Sequence, residues 1–280
     1  MLKEKSREAV VLGIIKYLSL GILLIVVIFP LVWLFAGSLK PEKQILSYPP
    51  TVFGTKVSFK SFDRIFTNIP MAIYLKNTII FSITSTVIAL LFDAMSGYAF
   101  ARLNFKGKDI LFIAILLTMM VPFQVIMIPL FLESYFLKTL NTYQGLIFPK
   151  MTTAFGIFMM RSYFSQLPKD LEEAARVDGL HEIGIFFQIM VPLVKPALMT
   201  LGIFHLMTSW NDLLYPLMMT SDVKMRTLTA GLALFVGERA TTYFGPQLAG
   251  AVISITPLLV LYIFFQKYFI ASVATTGIKG

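Results

Sequence analysis

Long apolar runs alternate with short polar ones along the 280-residue chain. Positions 17–36, 110–132 and 240–266 contain no Asp, Glu, Lys or Arg. Each is about as long as the ~20 residues a helix needs to cross a hydrocarbon core. Three further runs carry one charge each: 77–101 with Asp93, 139–160 with Lys150 and 196–217 with Asp212. A backbone in lipid must satisfy its own hydrogen bonds, which a helix does, and the absence of strict alternation excludes barrel strands. The pattern predicts an all-α polytopic membrane protein, one domain over 1–280. Its six spans are placed at roughly 12–37, 74–101, 109–132, 139–162, 190–215 and 245–270.

Composition strengthens this and removes other classes. The chain is 57% hydrophobic and only 14% charged, where a soluble domain is nearer half apolar and a quarter charged. With no cysteine, a disulfide framework, a thiolate metal site and a cysteine nucleophile are excluded. No catalytic residue and no metal-ligand set is read from the chain. The net charge of +9 is carried by residues flanking the spans, where anionic headgroups attract them, so nucleic acid is not the expected partner; membrane lipid is. The charged N-terminus leads into an apolar run well beyond the roughly 7–15 residues of a signal peptide, and reads as a retained first span. An even span count places both termini on one side. Arg102, Lys106 and Lys108 crowd one short loop while 133–141 holds only Lys138, which favours the cytoplasm for the termini and the outside for 39–70. Segment 219–245 has an apolar middle too short to cross and is expected to be partly buried or re-entrant.

One segment is out of character. "EEAARVDGLHEIGIFFQIMVPLVKPAL" (172–198) is a polar, helix-forming island in an apolar chain. Pro168 suits a first helical position, and Asp170, Glu172 and Glu173 suit the positive end of a helix dipole. Gly179 suits the left-handed residue that ends a helix. A three-turn helix over 168–178 follows, with Leu171, Ala174, Ala175 and Asp178 on one face. A second short helix over roughly 180–190 would present Ile183, Phe186, Phe187 and Met190 before Pro192 and Pro196 restart an apolar run.

Helix propensity alone fits an ordinary loop with two surface helices, but the full pattern is more particular. Glu173-Ala174-Ala175, Asp178-Gly179, Ile185-Phe186-Phe187, Pro192-Leu193 and Lys195-Pro196-Ala197 closely resemble the "EAA" loop of binding-protein-dependent ABC importer permeases. "LKPEKQILSYPP" (39–50), "YAFARLNFKGKD" (98–109), "MVPFQVIMIPLF" (120–131), "LNTYQGLIFP" (140–149), "SWNDLLYPL" (209–217) and "FFQKYFIASVATTGIKG" (264–280) extend the resemblance over nearly the whole chain. They are similar to the carbohydrate-uptake branch, the maltose-type and multiple-sugar permeases. Leu180 and His181 replace the small residues usual after Asp-Gly, and Val191 stands where leucine is commoner.

The resemblance implies a prokaryotic inner-membrane subunit that forms half of a pathway for a sugar or oligosaccharide. Its implied partners are a second, different permease chain, a dimeric cytoplasmic ATPase and an extracytoplasmic solute-binding protein. It implies that loop 165–190 docks the ATPase through Glu172, Glu173, Ala174, Ala175, Asp178 and Gly179. No cofactor is expected on this chain: it lacks a G-x-x-x-x-G-K-[ST] phosphate loop, so ATP and magnesium would be bound by the ATPase.

Charged and aromatic residues inside the spans are the remaining chemistry. Asp93 and Lys150 are costly facing lipid and are expected in internal ion pairs. His205 is expected to be a hydrogen-bonded packing residue, and His181 a surface one. Trp210, Asn211, Asp212 and Tyr215 offer aromatic faces and polar groups suited to sugars, although Trp and Tyr also populate membrane interfaces. An ion-coupled secondary transporter using Asp93 and Asp212 is the alternative, but it calls for inverted repeats, which the sequence does not display. A membrane scaffold would leave the island's pattern unexplained.

Overall fold

The computed structural model describes residues 2–239 and 243–276, with side chains described for 11–236 and 243–266. Every regular element among the described residues is helical. The labels used below are α1 (Leu2–Ser38), α2 (Lys60–Asn68), α3 (Met71–Arg102), α4 (Lys108–Thr118), α5 (Phe123–Phe136), α6 (Ala154–Ser165), α7 (Asp170–Val177), α8 (Lys195–Trp210), α9 (Leu214–Met219), α10 (Leu228–Arg239) and α11 (Phe244–Thr276). The chain forms two compact units, 1–69 with 235–256 and 70–234 with 257–280.

In the first unit, the stretch 17–36 of α1 is apolar all round, and the span Val11–Ser38 that contains it buries none of its strongest membrane window within the chain. Such a helix has no soluble-protein solution and is solvated by lipid or by another apolar helix. The segment after it is held by named contacts. Lys40 is buried, donates to the Thr51 carbonyl and lies 5.0 Å over the Trp33 ring. Gln44 and Thr55 exchange two hydrogen bonds of 2.7 and 3.0 Å. The Glu42 carboxylate accepts from the backbone N–H of Phe244 at 2.7 Å and of Gly245 at 3.2 Å. It thereby caps α11, where unpaired amides and the helix dipole favour an anion.

The second unit is built around α3, which packs along α6 and α8. Its core contains Ala94, Tyr98, Met160, Phe164, Ala175, Ile185, Phe186, Met190 and Leu201. The island is therefore part of this core and lies against α3 as well as α6 and α8.

Three described helical stretches are long and apolar enough to cross a membrane: Val11–Ser38, Met71–Arg102 and Phe244–Gln266. The count is five if two bent pairs are each one span, α4 with α5 (100°) and Glu182–Leu193 with α8 (81°). Six were expected. The run at 139–162 is not one helix but Tyr143–Ile147, a 3-10 turn at Phe148–Lys150, and α6. Pro149 cannot donate within a continuing helix, and Thr153 is extended and caps α6 by accepting from the Gly156 N–H. At ~1.5 Å per residue, α6 alone rises only ~18 Å. Pro122, extended at the start of α5, makes the α4–α5 bend in the same way.

Candidate functional site

The island begins with α7. Asp170, Glu172 and Glu173 fill its first turn and Arg176 its last, matching charge to the dipole at both ends. Gly179 has φ +85°, the left-handed conformation that glycine adopts without Cβ strain. A second helix starts at Glu182, passes through a π-helical stretch at Phe186–Met190 and continues through Val191–Leu193. Pro192 explains the wider turn: its ring would press on the carbonyl four residues back, and the i+5 register opens room.

Glu172 and Ala175 are buried, whereas Glu173, Ala174, Val177, Asp178 and Gly179 are exposed. Val177 is 88% exposed and Ile183 73%, two large apolar side chains pointing away from the unit on a polar segment. The outward surface thus combines apolar knobs, a small residue and two acids. On the inward side, Arg102 at the end of α3 approaches the Glu172 carboxylate at 3.6 Å, with side chains 4% and 6% exposed, and donates to the Leu167 carbonyl. The Tyr98 hydroxyl donates to Glu182 at 3.3 Å. Glu182 accepts from Arg176 at 2.8 Å, and that hydrogen bond holds the exposed guanidinium above its ordinary pKa. Sequence reasoning did not pair Arg102 or Tyr98 with the island. Helix phase alone could have put Glu172 and Ala175 together at i, i+3, but nothing local names a partner seventy residues earlier.

A second polar centre lies about two-thirds of the way along α3. Asp93 is fully buried and accepts from Thr152 Oγ1 (2.7 Å), Thr153 N–H (2.8 Å) and Thr153 Oγ1 (3.0 Å). His205 Nε2 of α8 lies 3.0 Å from its Oδ2. One carboxylate therefore joins α3, the start of α6 and α8. His205 is a hydrogen-bonded packing residue, and Asp93 is internally paired. A Cβ at Gly156 would sit 1.8 Å from Asp93 Oδ2, so only glycine lets the carboxylate reach this helix start.

The third centre joins Lys150 and Asp212 in a 2.9 Å ion pair, both partly exposed. Lys150 Nζ also lies 4.7 Å over the Tyr215 ring and 5.4 Å from the centre of Phe123. Asn211 is exposed and donates to the Met207 carbonyl. Trp210 is only 4% exposed and Tyr215 0%; the Tyr215 hydroxyl donates to the Gly145 carbonyl. These two rings are packed side chains in this conformation, and one face of Tyr215 is taken by Lys150. The four residues grouped from sequence thus divide into a buried wall and a polar edge. No cluster of three or more potential metal-ligating side chains of the His, Asp and Glu type occurs among the described residues.

Residues 94–274 match the family described as "Binding-protein-dependent transport system inner membrane component". An arabinooligosaccharides transport system permease protein from Halalkalibacterium halodurans is 35% identical over 99% of this chain and 100% of its own length. A trehalose/maltose transport system permease protein from Thermococcus litoralis is 31% identical over 98% and 99%. The crystal structure of a bacterial ABC transporter involved in import of the acidic polysaccharide alginate contains a chain that superposes with TM-score 0.81. That chain is 26% identical, and the match covers 92% of this chain and 96% of that one. None of these relationships supports an ion-coupled carrier. The chain belongs to the binding-protein-dependent transport system inner membrane components: it is a multi-pass permease subunit of an ABC importer, a transport component and not an enzyme.

Proposed function

We propose that this permease forms half of the pathway by which an ATP-driven importer takes up a sugar or oligosaccharide from an extracytoplasmic binding protein. A second, different permease chain supplies the other half, and a dimeric ATPase, which holds ATP and magnesium, drives the cycle. Both termini and the island are cytoplasmic. The observation that carries the reading is the island's two-sidedness: Glu172 and Ala175 fasten it to the core, while Glu173, Ala174, Val177, Asp178 and the Gly179 turn face outward. An outward helix with one small residue and apolar knobs suits a groove on a partner. The names of the sugar-transporting relatives support the substrate class. Along the pathway, Lys150, Asn211 and Asp212 provide the polar edge, with Trp210 and Tyr215 as the wall behind it. Purification of the tagged chain from its native membrane tests the proposal. An ATPase and a second permease are expected in the eluate, and Ala174→Trp is expected to release the ATPase alone. An eluate without ATPase from the unaltered chain overturns the proposal.

A further inference from the structure

We infer that Arg102 is the positioning residue that passes movement of the island to α3, acting through the buried carboxylate of Glu172. The inference rests on the docking of the island to an ATPase proposed above. Arg102 occupies the last turn of α3 and touches the island's approach twice, at the Leu167 carbonyl and at Glu172, on either side of Pro168.

The pair differs from an ordinary brace. Both side chains are almost wholly buried, yet Arg102 Nε and Glu172 Oε1 have no hydrogen-bond partner and stand 3.6 Å apart. Charge-assisted N–H···O bonds settle near 2.8 Å, so an approach of under ~1 Å would convert an ion contact into a hydrogen bond. Away from water such a contact is weakly screened and strongly distance-dependent. A small shift of α7 thus changes the force on the end of α3 disproportionately. Of the island's other anchors, Ala175, Ile185, Phe186 and Met190 are apolar, and the 3.3 Å hydrogen bond from the Tyr98 hydroxyl to Glu182 carries a charge on one side only, so none of them pairs two buried charges. From Arg102, α3 carries the shift along its whole length: Asp93 lies nine residues on and ties it to α6 and α8.

The test uses the intact complex with its copurifying ATPase, in lipid nanodiscs. The chain has no cysteine, so Ile83→Cys, at an exposed position of α3, takes a single environment-sensitive fluorophore about 28 Å along the helix from Arg102. Addition of ATP with EDTA, which allows binding without hydrolysis, is expected to shift its emission. Arg102→Met is expected to reduce that shift about fivefold or more, the low end of ordinary coupling between sites, with the ATPase still bound and hydrolysing ATP. Arg102→Lys, which keeps a donor for the Leu167 carbonyl, is expected to restore part of it, and the exchange Arg102→Glu with Glu172→Arg, which restores only the ion pair, a smaller part. A merely structural role would lower the unfolding midpoint of the assembled complex without reducing the ATP-induced shift. If Arg102→Met fails to assemble, the double variant Arg102→Met/Glu172→Met, free of buried charge, takes its place with the same expected loss. An undiminished shift in either assembled variant overturns the inference and leaves the docking proposal standing. Absence of ATPase from the unaltered complex overturns both.

Discussion

Two buried carboxylates of the second unit meet opposite fates. Asp93 makes four polar contacts, to three residues in two other segments, at 2.7–3.0 Å. Glu172 faces its arginine at 3.6 Å with one oxygen unpartnered. A satisfied buried network rigidifies what it joins, whereas a partly satisfied one stores an unmade bond. The bundle is therefore fixed at its middle and left adjustable at the end that meets the island, which is the distribution of stiffness a lever requires.

Breaking the fixed centre gives the largest expected effect. Asp93→Leu strands His205, Thr152 and Thr153 and is expected to cost about 4 kcal/mol, the scale of removing one member of a buried polar pair. Thermal unfolding in detergent micelles measures it, and Asp93→Asn, which still accepts hydrogen bonds, is expected to lose about half as much. Next is Gly156→Ala, whose added carbon collides with the same carboxylate. Overpacking there is expected to cost about 3 kcal/mol in the same assay. If both changes proved neutral, the claim that the middle is the rigid part would fail.

The adjustable end sharpens the contrast. Arg102→Met is expected to cost only about 2 kcal/mol, because Glu172 loses a contact that was never a full hydrogen bond and the Leu167 carbonyl loses one donor. The double variant with Glu172→Met is expected to be more stable than the single one, a coupling of about 1 kcal/mol in a double-mutant cycle. A cost equal to that of Asp93→Leu would erase the difference between the two acids. The smallest effect belongs to Gly179→Ala. Its Cβ meets nothing within 4 Å, so only the left-handed backbone is strained, at about 1 kcal/mol, which unfolding midpoints resolve.

Much of this was legible in the sequence because the bilayer imposes simple rules. Charge-free apolar runs located α1 and α11, a run broken only by Asp93 located α3, and the island's acids and Gly179 located α7 and its end. The break in 139–162 was harder to see. Thr152 and Thr153 are unremarkable inside an apolar run until a buried Asp93, sixty residues earlier, makes them a helix start. The island's phase was hidden for a similar reason. Three acids close together look equally solvated, and only the landing point of Arg102 decides that Glu172 turns inward. The aromatic pair Trp210 and Tyr215 showed the same limit, since residue type suggests sugar stacking but packing alone decides whether a ring face is open.

The cap on α11 bears on how the protein is made. Glu42 and the Phe244 amide it holds are 202 residues apart in the chain. At about 5–20 residues per second, a ribosome leaves that acid waiting roughly 10–40 s for its partner. Until then segment 39–70 lacks this fastening and keeps ties such as Lys40 to Thr51, Gln44 to Thr55 and Arg64 to Glu42, and its backbone is expected to open to a nearby protease in proportion to the time it spends unfastened. Completion of the last helix closes it, so a chain cut short before residue 244 carries the mark of its incompleteness near its own beginning.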